Sequence, residues 1–169
     1  MADSPYEDFF RAAKSSAVHL EMRDGYEKTE RFHVWKAGNQ PSYEKGYGQA
    51  WFDLMVESVG RGVEVRRARI VSEPISEYIR YEYEITAGHN VKAGEQVRWL
   101  PRRQATDLAL PGNDFWLFDS EVVLVNHFNG DDIATGTEVI KDPAVVKLCA
   151  TVFGAVWERA IPHEEYSPA

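Results

Sequence analysis

The sequence predicts an α/β fold, a single mixed β-sheet with helices on both faces. Three observations lead there. Trp51, Leu54, Met55 and Val59 fall at helical spacing and are followed, after Gly60 and Gly62, by the strand-like run Val63, Val65, Ile70 and Val71. The runs DFWLFD (114–119) and EVVLVNHF (121–128) read as two apolar strands joined at Asp119-Ser120-Glu121, a tight hairpin. Asp142-Pro143 then opens a helix with apolar positions Val145, Val146, Leu148, Cys149, Val152, Phe153, Val156 and Trp157.

The remaining elements follow in order. Ser4-Pro5 with Glu7 forms a capping box, and Phe9, Phe10 and Ala13 continue it as a helix near 5–14. Ser16–Met22 alternates Val18, Leu20 and Met22 with Ala17, His19 and Glu21, as a strand does; a helix running into Arg23-Asp24 is the competing reading. Phe32 and Trp35 before Gly38 predict a short helix over 27–37. Pro74, Ile75, Tyr78 and Ile79 predict a helix over 74–85. Residues 95–100 alternate up to Pro101, as a strand at an edge or an end would. Asn129–Asp132 is a turn, and Thr137–Ile140 a short further strand.

Composition bounds the function. The chain has 169 residues, 44% apolar and 27% charged, enough for one well-filled core, and no linker divides it, so residues 1–169 are read as a single domain. The net charge of −8 excludes a bulk-cationic nucleic-acid coat. The lone Cys149 excludes an internal disulfide framework and a cysteine-built zinc site, and it is expected buried and inert on the last helix. The start lacks a basic segment followed by an apolar one, and no run approaches a membrane span; the chain reads as soluble and cytoplasmic. His19, His33, His89, His127 and His163 stand in no metal-binding frame, so no metal and no cofactor are expected.

The sharpest chemical feature is an asymmetry of charge. Residues 61–103 hold nine basic against six acidic residues, eight of the nine being arginine, whereas the rest of the chain is strongly acidic. Arginine's planar fork matches carboxylate or phosphate oxygens two at a time. Arg67 and Arg69 share a strand face, and Arg98 and Arg102 flank Trp99 where a strand ends, so an anion pocket of Arg67, Arg69, Arg98 and Arg102 with Trp99 as a stacking surface is expected. The competing reading pairs the arginines with Glu73, Glu77, Glu82 and Glu95. His127 is a candidate general base with Asp119 across the hairpin, against a structural role for both; Asp114 and Asp119 bracket FWLF and also suit turn capping. Serine-hydrolase, P-loop and dinucleotide signatures are absent.

The segments SAVHLEMRDGY, RRARIVSEPISEYIRYE, AGEQVRWLPRR, LPGNDFWLFD and DPAVVKLCATVFGAVWERAIPHEEY resemble an uncharacterised actinobacterial family, the DUF6879-like domains, over nearly the whole chain. The resemblance implies a cytoplasmic protein encoded near helix-turn-helix regulators, hence a regulatory or partner-binding role, and carries over no catalytic residue. The order RWLPRR, FWLFD, EVVLVNHFNG is also similar to one half of a phospholipase D-like domain. Phe115–Asp119 then matches that fold's aspartate-ending strand, and Asn126 its asparagine. The H-x-K pair of that family is missing, which implies an anion-binding pocket without phosphoryl transfer.

The leading expectation is a non-enzymatic regulatory or ligand-binding domain with an arginine-lined anion pocket, partnered by an anionic small molecule, a helix-turn-helix regulator or another protein. Direct nucleic-acid or membrane binding is not expected. The alternative is a small hydrolase or phosphotransfer enzyme using His127 and Asp119. Homodimerisation through a sheet edge or the last helix is open to either.

Overall fold

The computed structural model describes residues 5–169 and shows seven strands in one open mixed sheet, ordered β6-β5-β4-β1-β2-β3-β7. The strands are β1 (Ser16–Glu21), β2 (Glu64–Val71), β3 (Gln96–Pro101), β4 (Phe115–Phe118), β5 (Val122–Phe128), β6 (Ala134–Ile140) and β7 (Ile161–Pro162). β1, β2 and β3 run parallel; every other pairing is antiparallel. The helices are α1 (Glu7–Ala12), α2 (Glu30–Lys36), α3 (Gln49–Gly60), α4 (Glu77–Thr86) and α5 (Pro143–Arg159). The chain at 16–21 is a strand, which settles the strand-or-helix alternative there. Ser4, the first residue of the expected capping box, lies outside the described residues; α1 starts after Tyr6 without a side-chain cap.

Side chains alternate across each strand, so the register decides which residues share a layer. On one face Val18, Leu20, Ala68, Ile70, Leu100, Phe115, Leu117 and Val123 pack against Cys149, Val152, Phe153 and Val156 of α5. On the other, Ala17, Val65, Trp116 and Phe118 meet Phe10 of α1 and Leu54 and Met55 of α3, while Val71, Val97 and Trp99 meet Ile79 of α4. The two parallel crossovers carry α2, α3 and α4 to this second face, and α2 lies on α4 through Phe32 stacked on Tyr78, ring centroids 5.6 Å apart.

Local chemistry explains the boundaries. Ser76 accepts from the Ile79 amide and starts α4; Asp142 accepts from the Ala144 amide and starts α5, with Pro143 at its first position. The hairpin between β4 and β5 turns on Asp119 and Ser120, both at positive φ (51° and 56°), a type I′ geometry that suits the twist of the flanking strands. β7 and the residues after it were not legible in the sequence. They fold back over the second face, where Tyr166 stacks on Trp99 at 5.5 Å. Among the described residues no helix is long and apolar enough to cross a membrane.

Candidate functional site

The face under α3 and α4 carries polar residues at positions where a central strand is normally apolar. In the parallel register His19 lies opposite Arg67 and Glu21 opposite Arg69, so two in-step pairs form a polar square on neighbouring strands. All four side chains are at least about nine-tenths buried. They floor a recess of about 280 Å³. Its walls come from Trp116 of β4, Trp51 of α3, Tyr78, Glu82 and Ile85 of α4, His89 and Asn90 of the wide helical turn Ala87–Val91, Arg31 of α2, and Tyr6, Tyr26 and Gly48 of the connecting segments.

Burying two guanidinium groups requires carboxylate partners. Arg67 Nε donates to Glu95 Oε1 at 2.5 Å and Nη1 to Glu21 Oε1 at 2.6 Å; Arg69 Nη1 lies 2.8 Å from Glu21 Oε2 and Nη2 donates to Glu82 Oε2 at 2.9 Å. Burial works against the charge of Arg67, yet Glu95 and Glu21 outweigh it and hold its pKa above the ordinary arginine value. Glu95 is 2% exposed, and its second oxygen accepts from Asn90 Nδ2 at 2.8 Å. Three carboxylates thus serve two arginines. Arg31 is the remaining guanidinium of the lining; its Nε donates to the Pro41 carbonyl at 3.2 Å, and among the described residues no carboxylate pairs with it.

Both histidines of the recess are neutral at physiological pH. Burial, then Arg67 and Arg69, push His19 well below 6.5; burial and Arg31 bring His89 to about 4. The His19 ring stacks on Trp116 at 4.2 Å. Asn126, oriented by the Tyr6 hydroxyl donating to its Oδ1 at 2.8 Å, presents Nδ2 3.5 Å from His19 Nε2. With Asn126 Nδ2 as the donor, Nε2 accepts and the imidazole proton sits on Nδ1, 3.6 Å from Glu21 Oε1. Gly48 explains its own identity: φ is +69°, and a Cβ there would lie 2.8 Å from His89 Cε1 and 3.2 Å from Arg31 Nη1.

Asp114 stands beside the recess at the start of β4, accepting from the Met22 amide at 2.9 Å and from the Tyr26 hydroxyl. Burial raises its carboxyl to about 6, against an ordinary 3.8. Between those pH values the folded chain holds the proton that the unfolded chain releases. The contribution is therefore complete below about pH 4 and is lost as the pH rises to about 6, at roughly 2–3 kcal/mol for a shift of this size. Urea unfolding of wild type and Asp114→Asn at pH 4 and pH 7 is expected to show wild type losing that amount relative to the variant. A difference that stays constant with pH means that the carboxyl ionises normally.

The structure brings together only part of the expected site. Arg67 and Arg69 line one recess, but Arg98 lies opposite Ala68 in the β2–β3 register and so projects from the other face. There it donates to the Trp157 carbonyl at 2.9 Å and sits 4.4 Å above the Trp157 ring. Arg102 fastens the carboxyl ends of the parallel strands, donating to Ser72 Oγ at 3.0 Å, to the Ile70 carbonyl at 3.2 Å and to the Met22 carbonyl. Trp99 is fully buried between Tyr166 and Arg69 and offers no open stacking surface. The four arginines do not gather at one rim, because strand register separated what the linear spacing grouped.

His127 and Asp119 are likewise apart. Asp119 closes the hairpin turn: the amides of Lys14, Ser15 and Ser16 and the Ser15 hydroxyl all donate to it, and these bonds, against its slight burial, hold it at about 2. His127 lies at the other end of β5, about 17 Å along the strand from its start at 3.3 Å per residue, where its Nε2 is 3.0 Å from Glu138 Oε2. Asp114 and Asp119 occupy opposite ends of β4. Sequence reasoning passed over His19, Glu21, Arg31, His89 and Asn90. The usable signal was H-x-E on β1 and R-x-R on β2, polar pairs two apart that each flank a buried apolar residue, Leu20 and Ala68. Among the described residues no cluster of histidine, cysteine, aspartate and glutamate could hold a metal ion.

Comparison with known proteins places this geometry. A family model described as "Domain of unknown function (DUF6879)" matches residues 4–168. No curated protein matches the chain. Among solved structures, the phospholipase D family member Nuc from Salmonella typhimurium is 12% identical, with 92% of this chain and 86% of that one covered and a TM-score of 0.51. NucT from Helicobacter pylori is 11% identical, with 92% and 87% covered and a TM-score of 0.50. The archaeal chromatin protein TrmBL2, whose structure shows a novel mode of DNA binding, is 15% identical at a TM-score of 0.48; the chain spans about half of its length, 47%. The fold is thus phospholipase D-like.

Proposed function

The chain belongs to the DUF6879 family of domains, and we propose that it acts as a binding domain without catalysis. The recess between the sheet and α2–α4 takes a small hydrogen-bonding molecule with at most one negative charge. The observation that carries this reading is a concentration of unpartnered polar atoms. Of the seven buried side-chain nitrogen and oxygen atoms without a hydrogen bond among the described residues, four belong to this one lining: His19 Nδ1, which lies 3.6 Å from Glu21 Oε1, and Glu21 Oε2, Arg69 Nε and His89 Nδ1. Buried polar atoms are ordinarily satisfied, because leaving one unpaired costs about 1–3 kcal/mol. A ligand with acceptor oxygens answers His19 Nδ1–H and Arg69 Nε–H, while its anionic group meets Arg31. Three carboxylates against Arg67 and Arg69 disfavour a polyanion, in line with the net charge of −8. The fold is that of phospholipase D-like proteins, yet the chain has no H-x-K, so the reading keeps a pocket and omits phosphoryl transfer. A regulatory role, in which occupancy is passed to a partner such as a helix-turn-helix regulator, extends the same reading.

The test is a thermal-shift screen against small monocarboxylic acids and their amides, read also by tryptophan fluorescence, since Trp51 and Trp116 line the recess. A ligand at a hundredfold its Kd adds about 2.7 kcal/mol of stability. Arg31→Ala is expected to abolish the shift given by the acid, whereas Arg98→Ala, on the opposite face, retains it. A shift indifferent to Arg31→Ala, or a screen in which neither signal moves, contradicts the proposal.

A further inference from the structure

The recess holds two leftover charges of opposite sign that do not meet each other. Glu21, Glu82 and Glu95 serve Arg67 and Arg69, so three carboxylates face two guanidiniums and one negative charge is in excess. Arg31, the third guanidinium of the lining, has only the Pro41 carbonyl and no carboxylate among the described residues, so one positive charge is in excess as well. His89 stands between the two. Burial, then Arg31 and Arg67, lower its imidazole to about 4, while Glu82 acts in the opposite sense, which puts both ends within electrostatic reach of one ring. Gly48 keeps the arginine end clear: a Cβ there would lie 3.1 Å from His89 Nε2 and 3.2 Å from Arg31 Nη1. The carboxylate end keeps room for donors, since a carboxylate offers about four lone-pair sites. Glu82 accepts from Arg69 Nη2 and from the Tyr78 hydroxyl, both at 2.9 Å. Glu21 Oε2 is ion-paired with Arg69 Nη1 at 2.8 Å but accepts no aligned hydrogen bond.

We infer that the ligand is a free amino acid, its carboxylate held by Arg31 beside Gly48 and its primary ammonium by Glu82 and Glu21; the inference rests on the binding reading above. Burying a net charge is costly unless it is paired. A plain carboxylic acid answers Arg31 and leaves the surplus carboxylate unmet, and a plain amine does the reverse. A zwitterion meets both surpluses and adds no net charge to the cavity. The ammonium has to carry hydrogens, because glutamate oxygens only accept; a quaternary ammonium has none to give. Size points the same way. At about 280 Å³ the recess lies just under the roughly 300–1,000 Å³ of pockets for drug-sized molecules, which suits one amino acid and excludes a longer peptide. The wide helical turn Ala87–Val91 supplies His89 and Asn90 to this lining, and such turns interrupt helices most often at functional positions.

Isothermal titration calorimetry of the full chain against a panel of α- and ω-amino acids is the test, each binder being compared with its deaminated acid and its decarboxylated amine. The amino acid is expected to bind at least about tenfold more tightly than either analogue. Glu82→Gln keeps an acceptor oxygen but removes the charge, and is expected to weaken the amino acid about tenfold without weakening the acid. Glu77→Gln, on the exposed side of the same helix, is expected to change neither. The three-ligand comparison uses the unaltered chain, so it decides the matter even where Glu82→Gln does not fold. A deaminated acid or an amine that binds as tightly as its amino acid, or an amino acid indifferent to a folded Glu82→Gln, overturns the inference; in the case of the acid the binding reading still stands. A chain that binds neither amino acids nor acids overturns both.

Discussion

Arg67→Ala is expected to cost roughly 3–5 kcal/mol, the range for removing one partner of a buried charge network. The reason lies in what remains. Glu95, 2% exposed, keeps Asn90 but loses the guanidinium 2.5 Å away, and Glu21 loses one of its two arginines. Glu95 cannot reach water without opening the sheet face, and Glu21, on the floor of the recess, is only 8% exposed. For a domain of this size each kcal/mol moves the melting temperature by about 2–4 °C, so a fall of roughly 6–20 °C should accompany the shift in urea midpoint. Adding Glu95→Gln to Arg67→Ala is expected to recover part of the loss, since the stranded charge is then removed; that coupling is what a double-mutant cycle reads. A single-variant cost below about 1 kcal/mol would mean that the polar square is solvated, contrary to its burial.

Trp99→Ala is expected to cost about 3–5 kcal/mol, the usual penalty for emptying the site of a fully buried large aromatic. Trp99 has no exposed surface; its ring stacks on Tyr166, Arg69 lies 5.3 Å above it, and its Nε1 donates to His163 Nδ1 at 3.1 Å. It therefore fixes the segment after α5 as well as the core. Limited carboxypeptidase digestion should trim that segment in the variant at a denaturant concentration where wild type resists. Trp157, whose apolar position on α5 also suggested a core residue, is only half-buried and carries Arg98 and Arg66 on its ring. Its truncation should cost clearly less than that of Trp99, and equal losses would show that exposure does not rank these two sites.

Much of the fold was legible because local rules and burial agree there. The FWLF and VVLV runs and the capped last helix each carry a period or a cap that few other structures satisfy, whereas the alternation over 16–22 left a helix as the competing reading until the sheet placed it as β1. The site was only half legible. Arg67 and Arg69 were found from their parity on one strand, and Asn126 from the resemblance to a phospholipase D-like half-domain. Arg98 was misplaced because parity within β3 says nothing about parity relative to β2 until Arg98 is seen opposite Ala68. Arg31, His89 and Gly48 lie on separate elements, and their meeting depends on how two crossovers lay α2, α3 and α4 on one face.

By itself, then, the order of residues determined a mixed sheet, its hairpin, the helices between strands and a stretch rich in guanidinium groups, for these follow from periodicity, turn chemistry and composition, all readable within a few neighbouring positions. Tertiary structure alone decided that three glutamates neutralise two of those arginines, that Arg98 and Arg102 serve the opposite layer and the strand ends, and that unpaired polar atoms converge on one recess. Such outcomes arise from strand register and crossover placement, which join residues up to about a hundred positions apart.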